Sequence, residues 1–211
     1  MRLKLPNKSN IISLSLGIVC ALGNDPWALW HLSILSLIVW FWLVIKNTVS
    51  KNIFKKTFLF GFGYFSISLI WIVEPFLVQP LIHGWIAPIA LIVLPSFLAL
   101  IWALFAFLGH YYLSSIGIVI GLSLAEYCRL YLLTGFPWAT ISYVLLDTKA
   151  EKWLSILGPY GLSLFLLLTC FTIAFTLRVR KKINVFLASC IIYILFFVPH
   201  FFEQEPLKNL D

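Results

Sequence analysis

The chain has 211 residues, 62% of them hydrophobic and only 11% charged, with a net charge of +7 and a mean hydropathy of +1.00. A soluble domain carries about 45–50% apolar and about 25% charged residues, so this composition excludes an aqueous globular fold and implies an integral membrane protein. A span needs about 20 apolar residues to cross ~30 Å of hydrocarbon. The length therefore suits an all-α polytopic bundle of about seven transmembrane helices, with residues 1–202 as one membrane domain and 203–211 as a short tail.

The apolar runs and their interruptions place spans near 11–22, 27–45, 57–73, 85–108, 116–133, 154–177 and 183–202. The first is short and follows Arg2, Lys4 and Lys8, as a cleavable signal peptide would. A second apolar run begins almost at once, through Gly23-Asn24-Asp25-Pro26, which favours a span.

The third run is expected to end at Glu74-Pro75, with His83 on the loop beyond it. The fifth carries Glu126 and Arg129 and is expected to stop at Gly135-Phe136-Pro137-Trp138. There glycine permits a left-handed cap, and proline cannot extend a helix. The one long polar interval, 134–153, is expected to be an external loop with room for a site.

Basic residues distributed between apolar segments record orientation rather than nucleic-acid binding. Threading from a cytoplasmic N-terminus puts Arg2, Lys4, Lys8, Lys46, Lys51, Lys55, Lys56, Arg178, Arg180, Lys181 and Lys182 inside, which is 11 of the 15 basic residues. All eight acids then fall outside or within the membrane, and the C-terminus is extracytoplasmic. Trp27, Trp71, Trp85, Trp138 and Trp153 fall at outer ends of spans, the headgroup level that an amphipathic indole favours.

Glu126 and Arg129 stand three apart, so on a helix they share a face and can pair. Ionised groups inside a membrane cost a few kcal/mol each unless they pair or reach water. The pair is therefore a candidate for function, with a structural tie to a neighbouring helix as the competing reading. Cys20, Cys128, Cys170 and Cys190 lie inside apolar runs without CxxC or Cys/His spacing, so neither a metal nor a cofactor is implied. No GxSxG elbow, HExxH or Walker loop is found in the sequence, and residue chemistry alone leads no further than a membrane protein with one outward polar interval.

Glu126, Arg129 and Gly135-Phe136-Pro137-Trp138, followed by Pro159-Tyr160-Gly161-Leu162-Ser163, resemble the membrane domain of bacterial apolipoprotein N-acyltransferase. Asp25-Pro26-Trp27, Gly61-Phe62-Gly63-Tyr64-Phe65, Ile70-Trp71-Ile72 and Leu98-Ala99-Leu100 extend the likeness from about Leu16 to Phe202. The resemblance implies transfer of a phospholipid acyl chain to the N-terminal amine of a diacylated lipoprotein, at the outer face of the bacterial inner membrane. It also implies a Glu–Lys–Cys triad on a nitrilase-like domain outside the membrane. No residue of that triad maps onto this sequence, which reaches Asp211 where such a domain would begin.

What maps is a lipid and substrate platform of Glu126, Arg129, Gly135, Phe136, Pro137, Trp138, Tyr160 and Gly161, with Arg129 suited to a phosphate. The expected partners are phospholipid, diacylated lipoprotein and a separate nitrilase-like catalytic subunit. The leading expectation is thus a truncated acyltransferase that needs a second half for chemistry. A non-catalytic lipid- or lipoprotein-binding membrane protein is the alternative, and a small transporter a weaker one.

Overall fold

A computed structural model describes residues 8–45, 50–132 and 135–179, and all regular structure among them is helical. Helix α1 is Lys8–Ala21, α2 Trp30–Ile45 and α3 Ser50–Ser68. Two single-turn helices follow, α4 Glu74–Leu77 and α5 Pro80–His83, and then α6 Ile86–Cys128 and α7 Trp153–Val179. Helices thus occupy the first six predicted runs, and the predicted run 183–202 lies outside the described residues. By length and composition two helices could cross a membrane, Ile86–Cys128 and Lys149–Val179, or three if α3 and the 70–77 segment form one bent span.

Helix α3 lies between α1 and α6, while α2 packs on α1 and α7. Lipid tails are as apolar as leucine, so packing in a membrane depends on close backbone approach and on hydrogen bonds between helices. Both occur here. Ser13, Gly17, Cys20 and Ala21 form the buried face of α1. A Cβ on Gly17 would meet the Phe60 carbonyl oxygen of α3, and one on Gly63 would meet that of Leu14. From α2, Ser33 and Ser36 donate their hydroxyls to the Cys20 and Leu16 carbonyls.

The 43-residue α6 would run about 65 Å if straight, twice the hydrocarbon thickness. It does not run straight, because Leu113 and Ser114 leave the helical region, Ser114 at φ 55°. The two arms, 86–112 and 115–128, fold back on each other. A Cβ on Gly109 would strike the Gly117 carbonyl, and one on Gly121 would strike that of Phe105. These contacts set an antiparallel register about the bend, pairing 109 with 117 and 105 with 121.

Four expectations need correction. Helix α6 ends at Cys128, well short of Gly135-Phe136-Pro137-Trp138, so that tetrapeptide does not stop the helix. Glu74-Pro75 does not end the third run either. Helix α3 breaks before Leu69, the chain bends by 60°, and Pro75 sits in the first turn of α4, where a missing N–H costs nothing. His83 belongs to α5 rather than to a loop. Finally, the polar interval is not all open loop: its 3₁₀ turn Ile141–Leu145 packs inside the protein, with Ile141, Val144 and Leu145 wholly buried.

The exterior is apolar, with Leu81, Ile92, Val93, Leu104 and Tyr112 among many exposed large side chains. In water this would be a large aggregating surface, but against lipid it needs no cover.

Candidate functional site

The hairpin register of α6 determines where the ion pair sits. About three turns from the bend, Glu126 on the second arm comes level with Trp102 on the first, and the indole Nε1 donates to Glu126 Oε1 at 2.8 Å. Arg129 is one turn further along, and its Nη1 donates to the same oxygen at 3.0 Å. Both residues are only 1% exposed. The other carboxylate oxygen, Oε2, accepts the backbone N–H of Ile141 at 3.3 Å, which gives a buried non-helical donor its partner.

The returning chain is held from the other side by arginine. Arg129 Nη2 donates to the Trp138 carbonyl at 2.6 Å and to that of Phe136 at 3.4 Å. Its guanidinium carbon stands 5.1 Å from the centre of the Phe65 ring of α3. After α6 the backbone turns through Gly135 at φ 89°, where an L side chain is strained. Phe136 N–H then reaches back to the Arg129 carbonyl at 3.0 Å, and the Thr140 hydroxyl bonds the Pro137 carbonyl at 2.6 Å. The clasp thus joins both arms of α6, α3 and segment 135–141. One polar atom in it lacks an acceptor among the described residues: Arg129 Nε is buried and has no partner there.

Two cavities flank the clasp. A narrow crevice of about 40 Å³ is lined by Leu94, Phe97, Leu98, Ile101, Arg129, Leu132 and Phe136. A wider groove of about 320 Å³ lies between α6 and α7, lined by Ile120, Ser123, Leu124, Tyr127, Tyr160, Gly161 and Leu164. Helix α7 leaves helical geometry at Gly158, φ 65°, and Pro159 opens its long arm. Tyr160 is thereby brought edge-on to Tyr127, with ring centres 6.0 Å apart.

Of the eight residues expected to form one platform, Glu126, Arg129, Gly135, Phe136, Pro137 and Trp138 therefore meet at the clasp. Tyr160 and Gly161 line the neighbouring groove. Trp138 also packs against Trp71, ring centres 5.4 Å apart, so two of the five expected interface tryptophans form one contact.

Sequence reasoning missed Trp102 and Phe65. Trp102 did carry a signal, since it stands mid-run rather than at an end, and a buried indole N–H needs an acceptor. Phe65 closes the Gly61-Phe62-Gly63-Tyr64-Phe65 stretch that carries the likeness, but nothing tied it to the ion pair, and it is one phenylalanine among 19. Cys20 and Cys170 are free and buried, and Cys128 is partly buried.

Residues 16–172 match the family model described as the apolipoprotein N-acyltransferase N-terminal domain, a stretch that contains every residue of the clasp and both cavities. The apolipoprotein N-acyltransferase of Rhodopseudomonas palustris is 30% identical over 168 residues, covering 74% of this chain and 31% of the relative. That of Sinorhizobium fredii is 28% identical over 141 residues, 60% of this chain and 27% of the relative. That of Brucella suis is 34% identical over 110 residues, 49% and 21% respectively. The match thus spans less than a third of the length of each of these relatives.

Proposed function

Because the chain belongs to the apolipoprotein N-acyltransferase N-terminal domain family, we propose that it is the membrane platform of an acyl transfer from phospholipid to the N-terminal amine of a diacylated lipoprotein. In this reading seven helices cross the inner membrane with the N-terminus cytoplasmic. The clasp lies toward the outer face, and both acyl-bearing substrates enter sideways from the bilayer. Bond making belongs to a nitrilase-like unit carrying Glu, Lys and Cys, outside residues 1–211. The observation that supports this most directly is the clasp itself. Two buried charges fasten an irregular segment, 135–141, beside an apolar crevice and a tryptophan rim, which gives a rigid lip at which a lipid chain and its polar end can be presented.

Nucleophilic acyl transfer needs a thiolate with a base in reach, and a thiol in apolar surroundings stays protonated. Cys20 and Cys170 are fully buried in the bundle core, which disfavours the thiolate that the reaction needs. The test is acyl transfer from phospholipid to a synthetic diacylated lipopeptide. The purified chain alone should give no transfer and no thioester. Adding a nitrilase-like acyltransferase unit should give transfer that depends on the chain. Transfer by the chain alone, through an acylated cysteine, would overturn the proposal, as would transfer by the added unit that is indifferent to it.

A further inference from the structure

The unpartnered Arg129 Nε and the crevice that Arg129 lines together restrict what the crevice can hold. Leu94, Phe97, Leu98, Ile101, Leu132 and Phe136 supply the rest of its wall, and that wall is hydrocarbon. A trapped water needs about two to four polar partners, whereas Arg129 is the one polar side chain in the lining and offers no acceptor. A phosphate needs several donors and a net positive charge. Here both terminal nitrogens of Arg129 are already committed to Glu126, Phe136 and Trp138, and the charge is neutralised by Glu126 at 3.0 Å. The guanidinium nitrogen left without a partner among the described residues, on the side chain that lines this apolar slot, matches a ligand with a single acceptor flanked by alkyl chain.

We propose that this crevice binds an acyl ester, its carbonyl oxygen accepting the Arg129 Nε–H and its alkyl chain lying along Leu94, Leu98 and Ile101. This rests on the platform reading and narrows it. The clasp recognises the ester region of a lipid, and the phosphate is left to other groups. The ester could come from a phospholipid or from the diacylglyceryl group of a lipoprotein, and the chemistry at Arg129 is the same for both.

The test is lipid binding to the full 211-residue chain in detergent, read by native mass spectrometry. The four probes are dioleoyl phosphatidylethanolamine, its di-O-alkyl analogue, a synthetic diacylglyceryl lipopeptide and its dialkyl analogue. Each ether analogue keeps headgroup and chains but lacks the carbonyl. Ester should bind about tenfold more tightly than ether, the effect of one hydrogen bond to a charged donor. A preference within the phospholipid pair, the lipopeptide pair or both supports the proposal and identifies the source. Leu94→Trp, which fills the slot from a half-buried position, should bring ester to within about twofold of ether, while Leu94→Ala should keep the preference. Equal binding of ester and ether in both pairs would overturn the proposal, and so would a preference that survives Leu94→Trp. A chain that supports acyl transfer yet shows no ester preference refutes the crevice alone and leaves the platform standing.

Discussion

At Glu126, one carboxylate takes three hydrogen bonds, from Trp102, Arg129 and the Ile141 backbone. That number explains why a charge is tolerated at 1% exposure. Removing one partner of a buried pair costs about 3–5 kcal/mol, because the other charge is left uncompensated. Glu126→Gln and Arg129→Gln should therefore each lower stability in detergent by about that much. The double variant should recover part of the loss, since no charge remains. Recovery should be incomplete, because the Phe136 and Trp138 carbonyls lose the Arg129 donor. Thermal unfolding of the four proteins measures this, and strictly additive losses would show that the two side chains are not coupled.

Among the elements, the α6 hairpin carries the site. Its arms meet where Gly109 faces Gly117 and Phe105 faces Gly121, and that register is what brings Trp102 level with Glu126. A side chain on Gly109 has no space, as its Cβ would overlap the Gly117 carbonyl. Gly109→Leu should cost about 1–3 kcal/mol or more through overpacking and, by parting the arms, weaken the Trp102 contact about two turns away. Leu104→Ala, on an exposed position of the same arm, should stay within about 0.5 kcal/mol. Unfolding midpoints of the two variants decide between a tight glycine seam and a loose hairpin: equal midpoints would mean that the arms do not meet so closely.

For the whole molecule the testable property is orientation. Eleven of 15 basic residues fall on one side of the proposed threading, and insertion follows such a bias. In a variant with Cys20, Cys128, Cys170 and Cys190 replaced, a cysteine at Asn47, between α2 and α3, should resist an impermeant maleimide in intact cells. One at the exposed Asp147 should react. The reverse pattern would invert the threading.

How much of this was legible before the fold depended on the range of the physics involved. Membrane residence follows from composition alone, because lipid and water differ in what they tolerate over any stretch of about 20 residues. Helices at the first six runs follow from unbroken apolar stretches, since backbone groups in lipid must be satisfied within the segment. The pairing of Glu126 with Arg129 follows from a spacing of three on one helix. The family likeness was legible for the same reason, being carried by short ordered motifs.

Contacts between distant segments were not. The arrival of Trp102 at Glu126 depends on a hairpin register that is set by glycines on both arms, and the burial of Ile141–Leu145 depends on a buried carboxylate that accepts its first N–H. Gly135-Phe136-Pro137-Trp138 has the local chemistry of a helix stop. Yet α6 ends at Cys128, and Arg129 draws those residues back across the bundle by their carbonyls. A local pattern can specify where a helix is able to end. Which groups meet afterwards is settled by hydrogen bonds across the interior, where an unpaired polar group costs more than a local preference can offset.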